Sequence, residues 1–151
     1  MIRLIPYAPE HMDLFEQLPE DIERYGLFTS ETPNPQAEYG IAFTAFIDGR
    51  IVIVGGILQI SQHTGKGWTM ISKHALAYGS AVFYAVRQQL ESMMKDMRLH
   101  RIETTNLKDA TEHHRWCRLL GFKAEGEMPY YDDKKRTYIR LAKVMEVAHG
   151  N

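Results

Sequence analysis

Two neighbouring runs of apolar residues in the first half of the chain have the pattern of antiparallel strands. Residues 41–47 and 51–60 are rich in β-branched and aromatic side chains, and Asp48-Gly49-Arg50 separates them. Asp-Gly between two apolar runs is a strong signal for a β-hairpin. Gly55-Gly56 interrupts the second run, but apolar residues resume at once. We therefore expect a bulge or a close approach of another backbone there, not a loop.

A longer stretch follows a helical period instead. Over residues 75–97 the apolar positions recur at spacings of three and four and form one stripe, made of Val82, Val86, Leu90, Met93 and Met97. Such a stripe is typical of a helix that packs against a core. Because methionine fills irregular gaps in cores, we interpret these methionines as core residues and not as contacts to a cofactor.

Shorter helical patterns lie on both sides of these elements. Pro9 and Pro19 each begin a short amphipathic pattern, which predicts two short helices. A further helix is predicted over residues 109–120. Asp109 and Glu112 stand three positions apart, in the arrangement of a capping box at the start of this helix.

The remaining segments complete an alternating order of strands and helices. Further strands are predicted over residues 2–7, 68–72, 99–105, 122–130 and 136–144. Residues 63–67 are predicted to form a polar turn, and residues 26–40, which contain Pro33-Asn34-Pro35, an exposed loop. The predicted order is β-α-α-β-β-β-α-β-α-β-β. It indicates an α+β fold with a mixed, mainly antiparallel sheet flanked by helices.

Length and charge limit the architecture and the partners. The chain has 151 residues, of which 44% are hydrophobic, and this is enough to build one core. We expect a single domain over residues 1–151, with a disordered tail over residues 146–151. The formal net charge is -1. This balance provides no general attraction to nucleic acid or to an anionic membrane, so neither is expected as a partner.

The cysteine content and the N-terminal sequence favour a cytoplasmic protein. Cys117 is the single cysteine, which excludes an intramolecular disulfide and agrees with a reducing compartment. Glu10 and Asp13 follow the N-terminus too closely for a signal peptide, and no apolar run approaches the ~18 residues needed to span a bilayer. The adjacent His113 and His114 lack metal-ligand spacing, and no metal site is predicted.

One motif, together with the element order, resembles a known family. The motif runs Arg115-Trp116-Cys117-Arg118-Leu119-Leu120-Gly121-Phe122 and is followed by Glu125-Gly126. It is similar to the segment in which GCN5-related N-acetyltransferases carry an aromatic residue, a few helix residues, Leu-Gly-Phe and an acid-rich strand. Leu-Gly-Phe alone also fits an ordinary helix end, because glycine accepts the left-handed conformation found there. With the hairpin and the long helix, the resemblance covers residues 1–144.

The resemblance implies a site for acetyl-coenzyme A as co-substrate. In the family this molecule lies where two strands splay apart, here residues 68–72 and 101–105, with an opening expected near Met70 and Glu103. Its pyrophosphate rests on a Gly-rich loop at the start of the long helix, where free N–H groups favour an anion. The Arg/Gln-x-x-Gly-x-Gly/Ala signature of that loop is absent, since residues 72–81 contain one glycine. The cofactor contacts implied are Met70, Ile71, Ser72, Lys73, His74, Gly79, Ser80 and Asn106. The alternative for Lys73 and His74 is that they simply flank a helix start.

The resemblance also implies an acid and a base. An amine attacks a thioester only when neutral, so a base must take its proton and an acid must protonate the leaving thiolate. Glu103 is the candidate base, and its alternative is an exposed strand residue. The family often has a tyrosine four residues before the glycine of Leu-Gly-Phe, where this chain has Cys117. Cys117 is a candidate acid or an inert buried thiol, and Tyr130 or Tyr131 is a substitute for it.

Two functions remain open from the sequence. The first is transfer of acetyl from coenzyme A to a primary amine of a small molecule or a protein. The second is an inactive relative that serves in binding or assembly, because the degenerate loop and Trp116-Cys117 resemble small GCN5-like proteins of tailed bacteriophages. Its expected location is the host cytoplasm or the virion, with virion proteins or a second copy of the chain as possible partners.

Overall fold

The computed structural model describes residues 2–145 and contains seven strands and four α-helices in that range. The strands are β1 (Ile2–Pro6), β2 (Ile41–Ile47), β3 (Arg50–Gln59), β4 (Thr64–Ile71), β5 (Arg101–Leu107), β6 (Lys123–Met128) and β7 (Tyr138–Val144). The helices are α1 (Pro19–Tyr25), α2 (Pro35–Tyr39), α3 (Ser80–Asp96) and α4 (Thr111–Leu119), and two 3-10 turns cover Pro9–Asp13 and Ala75–Tyr78. The expected tail, residues 146–151, lies outside the described range.

The strands form one sheet in the order β1-β2-β3-β4-β5-β7-β6. The pairings β1–β2, β2–β3, β5–β7 and β6–β7 are antiparallel, and β4–β5 is parallel. The parallel pairing joins Thr64, Gly65 and Lys66 to Arg101, Ile102 and Glu103. This arrangement confirms the predicted α+β class with its mixed, mainly antiparallel sheet.

The described residues divide into two compact units. One comprises the chain up to Leu58 together with Gly67–Ala85, and the other comprises Gln59–Lys66 together with the chain from Val86 onward. The division falls within β4, of which Thr64–Lys66 belongs to the second unit, and within α3.

The first unit is built around the predicted hairpin. β2 ends at Ile47 and β3 begins at Arg50, and Asp48 and Gly49 between them have φ values of 51° and 77°. Two positive φ values are the mark of the turn that Asp-Gly favours in tight hairpins. The core of this unit is a cluster of buried apolar side chains: Met12, Phe15, Ile51, Val54, Trp68 and Met70.

Gly55 and Gly56 are explained by a close approach of neighbouring backbone. A Cβ on Gly55 would lie 2.8 Å from the Thr69 side chain and 2.9 Å from the Trp68 carbonyl oxygen, and one on Gly56 would overlap the Ile41 carbonyl oxygen. The β-bulge of this hairpin lies elsewhere, between Ala45 and Phe46. The expected close approach is confirmed, and the pairing of β3 with β2 runs through both glycines without a bulge.

Two predictions in the first unit are wrong. Residues 35–39, placed in an exposed loop, form α2, which Asn34 caps by accepting the Gln36 N–H at 3.0 Å. A capping asparagine followed by a first-turn proline is a helix-start signal that needs no long apolar period. The long helix does not begin at residue 75, because a 3-10 turn and Gly79, with φ 62°, precede Ser80.

The second unit contains the parallel pairing, most of α3, and α4 with its flanking strands. The predicted stripe of α3 is buried at Val82, Val86, Leu90 and Met93. β5, β6, β7 and α4 lie within two residues of their predicted ends. β4 begins at Thr64, within the segment that was predicted to be a polar turn. The sequence pattern misses this part of the strand because Gly65 and Gly67, although buried, have no side chains to show the alternation of a strand. The predicted capping box at Asp109 is wrong, because the N-cap of α4 is Ala110 and no side chain makes a capping hydrogen bond there.

None of the helices among the described residues is long and apolar enough to cross a lipid bilayer.

Candidate functional site

The segment after β4 turns sharply into α3 and carries most of the predicted cofactor residues. Met70 and Ile71 are buried at the end of β4. Ser72 is fully buried; its hydroxyl accepts the His74 N–H at 3.1 Å, and its carbonyl accepts the Ala75 N–H at 3.1 Å. The Ser72 side chain therefore stabilises the turn after β4, in which Lys73 and His74 lie.

The start of α3 is open to solvent. Gly79, Ser80 and Ala81 are all exposed, and α3 is a helix of 17 residues. The first N–H groups of a helix have no partner within it, and the helix dipole adds partial positive charge at this end. The start of α3 therefore has the electrostatic character that favours an anion, even though the sequence here offers a single glycine.

Basic side chains cluster at the turn that follows β4 in the first unit. Lys73 Nζ lies 2.9 Å from one carboxylate oxygen of Glu16, and His74 Nε2 lies 3.1 Å from the other. The hydrogen bond from Lys73, followed by that from His74, lowers the pKa of Glu16. Arg50 Nη1 lies 3.3 Å from His74 Nδ1. Lys73 and Arg50 are cationic and Glu16 is the carboxylate in these contacts, so positive charge is in excess at the turn after β4.

Arg50 and Glu16 are members of this cluster that sequence reasoning missed. Arg50 begins β3, and Glu16 lies shortly before α1. The bridge between Gln17 and Ser72 brings the segment of Glu16 to the turn. No local motif marks either residue, because the pairing of distant segments creates the contact.

In the second unit, β5 carries Glu103 and Asn106 on opposite faces. The pairing of β5 with β7 is continuous from Arg101 to Leu107, so side chains alternate along the strand. Arg101 and Glu103 therefore share one face, and Asn106 lies on the other.

Glu103 is held by an arginine. Arg101 Nε donates to a Glu103 carboxylate oxygen at 2.8 Å, and the guanidinium also binds both carboxylate oxygens of Glu125, one of them at 2.9 Å. These contacts raise the pKa of Arg101 and lower the pKa of Glu125. The candidate base is thus part of a three-residue ion cluster on its face of β5.

Asn106 and Cys117 meet on the other face. Asn106 is 7% exposed, and its side-chain amide donates to the Cys117 sulfur at 3.2 Å. Burial raises the pKa of the Cys117 thiol, and the hydrogen bond from Asn106 opposes this shift in part. At neutral pH Cys117 is therefore a protonated thiol in a fixed position.

Tyr130 lies in the turn that follows β6 and is 75% exposed, with φ 55°. Asp132 organises this turn by accepting the N–H groups of Lys134 and Arg136 at 3.0 Å each, the Tyr138 hydroxyl at 3.0 Å and Arg136 Nε at 2.6 Å. The bonds from Arg136, together with that from Tyr138, lower the pKa of Asp132 to about 2. Among the described contacts, Tyr130 makes no hydrogen bond with Glu103, Asn106 or Cys117.

The predicted site residues thus fall into two sets. Met70, Ile71, Ser72, Lys73, His74, Gly79 and Ser80 all belong to the first unit. Glu103, Asn106, Cys117 and Tyr130 lie in the second, where only Asn106 and Cys117 are hydrogen-bonded to each other. Within residues 2–145, no group of three or more His, Cys, Asp or Glu side chains is placed to hold a metal ion.

Solved structures of several acetyltransferases share this fold. A GNAT-family acetyltransferase from Bacillus anthracis is 18% identical, with 95% of this chain and 94% of that chain covered and a TM-score of 0.74. The ribosomal-protein-S5-alanine acetyltransferase of Vibrio fischeri is 17% identical over 95% of this chain and 91% of that one, with a TM-score of 0.70. A GNAT-family acetyltransferase from Elizabethkingia anophelis with acetyl-CoA bound is 10% identical over 95% and 98%, with a TM-score of 0.66.

No protein-family model matches the sequence, and no curated protein matches it significantly. At these identities the similarity to solved structures shows the fold, which is that of the GCN5-related N-acetyltransferases.

Proposed function

We propose that this chain, which has the GCN5-related N-acetyltransferase fold, transfers an acetyl group from acetyl-coenzyme A to a primary amine of a small molecule or a protein. The observation that carries the proposal is the solvent-open start of α3, which follows in the chain shortly after the turn that carries Lys73 and His74. A helix start suits the pyrophosphate of a coenzyme. Acetyl-coenzyme A would supply an activated acetyl thioester.

The first unit provides the residues that would hold this cofactor. The exposed N–H groups at Gly79, Ser80 and Ala81 would bind phosphate oxygens, and Lys73 and Arg50 would add charge. Met70 and Ile71 would contribute the backbone of the end of β4. Glu16 already pairs with Lys73, so Lys73 would have to leave the Glu16 carboxylate in order to bind a phosphate of the cofactor.

The second unit provides the groups that would move protons. Cys117, kept protonated by burial and held by Asn106, would donate its proton to the leaving thiolate. Glu103 would take the proton of the acceptor ammonium, since it is the carboxylate that β5 presents on its other face. Arg101 fixes the Glu103 carboxylate, and this would orient the base while limiting its movement. Tyr130, exposed in its turn, would contact the acceptor or replace Cys117 as the acid.

Binding is tested by the effect of acetyl-coenzyme A on unfolding. A ligand at 100 times its dissociation constant stabilises the folded state by about 2.7 kcal/mol. We expect this shift for the wild-type chain and its loss in Ser80→Trp, because the indole would cover the helix start. Ser92→Trp is the matched control, since Ser92 is exposed on the same helix about 18 Å further along.

Catalysis is tested by release of coenzyme A thiol in the presence of a panel of primary amines. Glu103→Gln should lower kcat by about 100-fold or more if Glu103 is the base. Glu125→Gln removes the other carboxylate bound by Arg101 and should retain activity. Equal losses in the two variants would mean that the ion cluster is structural.

A non-catalytic binding or assembly module is the second candidate. It is favoured by the restraint of Glu103 and by the pairing of Lys73 and His74 with Glu16. A wild-type chain that shows no acetyl-coenzyme A shift would support this candidate over the enzyme.

A further inference from the structure

A separate groove lies in the second unit, between α4 and the strands β6 and β7. It has a volume of about 600 Å³. Its apolar floor consists of Phe122, Ala124, Ile139 and Leu141. Pockets for small ligands have volumes of about 300–1,000 Å³ and mainly apolar walls with a few polar groups. The groove therefore has the size and the floor of a small-molecule site.

The rim of this groove is basic. Its charged and titratable lining residues are Lys108, His114, Arg118 and Lys123, and no acidic residue lines it. Lys108 is paired with Glu127 at 2.8 Å, and His114 Nε2 is hydrogen-bonded to the Leu107 carbonyl oxygen at 2.8 Å. Arg118 and Lys123 are exposed and make no ion pair among the described residues. Two cations at the edge of an apolar floor thus lack a counter-charge.

The groove is distinct from the Asn106–Cys117 contact. On a helix, neighbouring residues point about 100° apart, so Arg118 faces away from Cys117. His114 and Arg118 are four positions apart and lie on one face of α4, the face that lines the groove. Neither Asn106 nor Cys117 is among the residues that line the groove.

We infer that this groove binds an amphipathic carboxylate, a molecule with an apolar body of about ten carbons and one anionic head. The body lies on Phe122, Ile139 and Leu141. The head reaches Arg118 and Lys123, where a guanidinium suits a carboxylate because it offers two parallel N–H donors. The inference does not depend on acetyl transfer, since it uses none of the residues assigned to that reaction.

Isothermal titration calorimetry of the full chain with decanoate, below its micelle concentration and without acetyl-coenzyme A, tests the inference. Decanoate should bind one to one. Each methylene removed, from decanoate to nonanoate to octanoate, should weaken binding about four-fold, the equivalent of about 0.8 kcal/mol. Decanol, which has the body without the charge, should bind at least about ten-fold more weakly, since charged hydrogen bonds contribute about 1.5–3 kcal/mol.

Variants locate the binding. Arg118→Gln and Lys123→Gln should each weaken decanoate binding by about five-fold or more. Arg115→Gln, on the same helix but outside the groove lining, should leave it unchanged. Ala124→Trp should abolish it by filling the floor, with circular dichroism showing that the variant remains folded. Absence of decanoate binding overturns the inference, as does binding that both glutamine variants retain. A groove that takes an acidic peptide but not decanoate overturns it as well.

Discussion

Asn106 and Cys117 are joined by a hydrogen bond in which the Asn106 amide donates to the Cys117 sulfur over 3.2 Å. The two residues come from β5 and α4, so the contact fixes a thiol on one face of the sheet. Because thiolate reactivity depends on pKa, this contact can be measured without any substrate.

The thiol of Cys117 should titrate above the ordinary range for cysteine, because burial raises its pKa. Asn106→Leu removes the hydrogen bond that opposes this shift and should move the midpoint of alkylation by iodoacetamide to still higher pH. Thr105→Val, on the opposite face of β5, should leave the midpoint where it is. A wild-type midpoint at or below about 8.5, the value of a free cysteine, would contradict the buried environment.

Glu16→Gln should strengthen the binding of coenzyme A. In the wild type the Glu16 carboxylate pairs with Lys73 and His74, and it repels an incoming phosphate. Because an exposed ion pair is weak, we expect a dissociation constant about two- to five-fold lower, measured by calorimetry at low salt. Lys73→Gln should weaken binding by a similar factor, and Glu20→Gln should have no effect. Weaker binding in Glu16→Gln would mean that the cluster positions the turn and does not contact the cofactor.

Elements with local signals were predictable from the sequence. Asp48-Gly49 between two apolar runs is sufficient to predict the β2–β3 hairpin. The apolar stripe of α3 repeats over several helical turns and predicts that helix. β4 was predicted only in part. Gly65 and Gly67 are buried, but glycine has no side chain, so the sequence there does not show the apolar alternation of a strand. Asp109 has the spacing of a capping box but not the position of the cap, because α4 begins one residue later and Ala110 is its N-cap.

The candidate site was predictable only where residues adjoin in sequence. Ser72, Lys73 and His74 follow β4 directly, and their grouping could be read from the chain. The contact of Arg50 with His74 spans 24 positions and depends on the register of β3, which no single sequence motif specifies. Likewise, the ion cluster that restrains Glu103 includes Glu125 of β6, a partner 24 positions from Arg101.

Gly121 has no side chain, and the Lys143 ammonium occupies the space that a side chain at this position would need. Lys143 Nζ donates to the Leu120 carbonyl at 2.7 Å and to Glu91 at 3.0 Å. A Cβ on Gly121 would lie 2.6 Å from this nitrogen, and Gly121 has φ 98°. Gly121→Ala should therefore cost about 1–3 kcal/mol of unfolding free energy, from backbone strain and from displacement of the ammonium.

A double-mutant cycle separates these two causes. Lys143→Met alone should cost about 1–3 kcal/mol, because the Leu120 carbonyl loses its partner. In the Lys143→Met background the cost of Gly121→Ala should fall by at least about 0.5 kcal/mol, since the ammonium is gone and the strain in φ remains. Urea denaturation of the four proteins measures the cycle. Strictly additive costs would show that the ammonium does not restrict residue 121.

Asp132 should make stability depend on acid pH. Its bonds to Arg136 and Tyr138 lower its pKa from 3.8 to about 2, so the folded state favours the ionised carboxyl. A lowered pKa contributes stability that is complete above the unfolded value and is lost as pH falls through the folded one. Asp132→Asn should thus lower the melting temperature at pH 6. The difference from wild type should shrink between pH 4 and pH 2, as followed by circular dichroism.

Asp133→Asn is the matched control for this prediction. Asp133 is exposed beside Asp132 and makes no hydrogen bond among the described contacts, so its substitution should leave the pH profile unchanged. Because Asp132 also organises the turn that carries Tyr130, the same Asp132→Asn variant should alter turnover if Tyr130 contacts the acceptor. A difference between Asp132→Asn and wild type that is equally large at pH 6 and pH 2 would mean that the Asp132 carboxyl is not charged in its hydrogen-bonded state. The turn would then rest on its backbone bonds alone, and Tyr130 would keep its position at any pH at which the chain is folded.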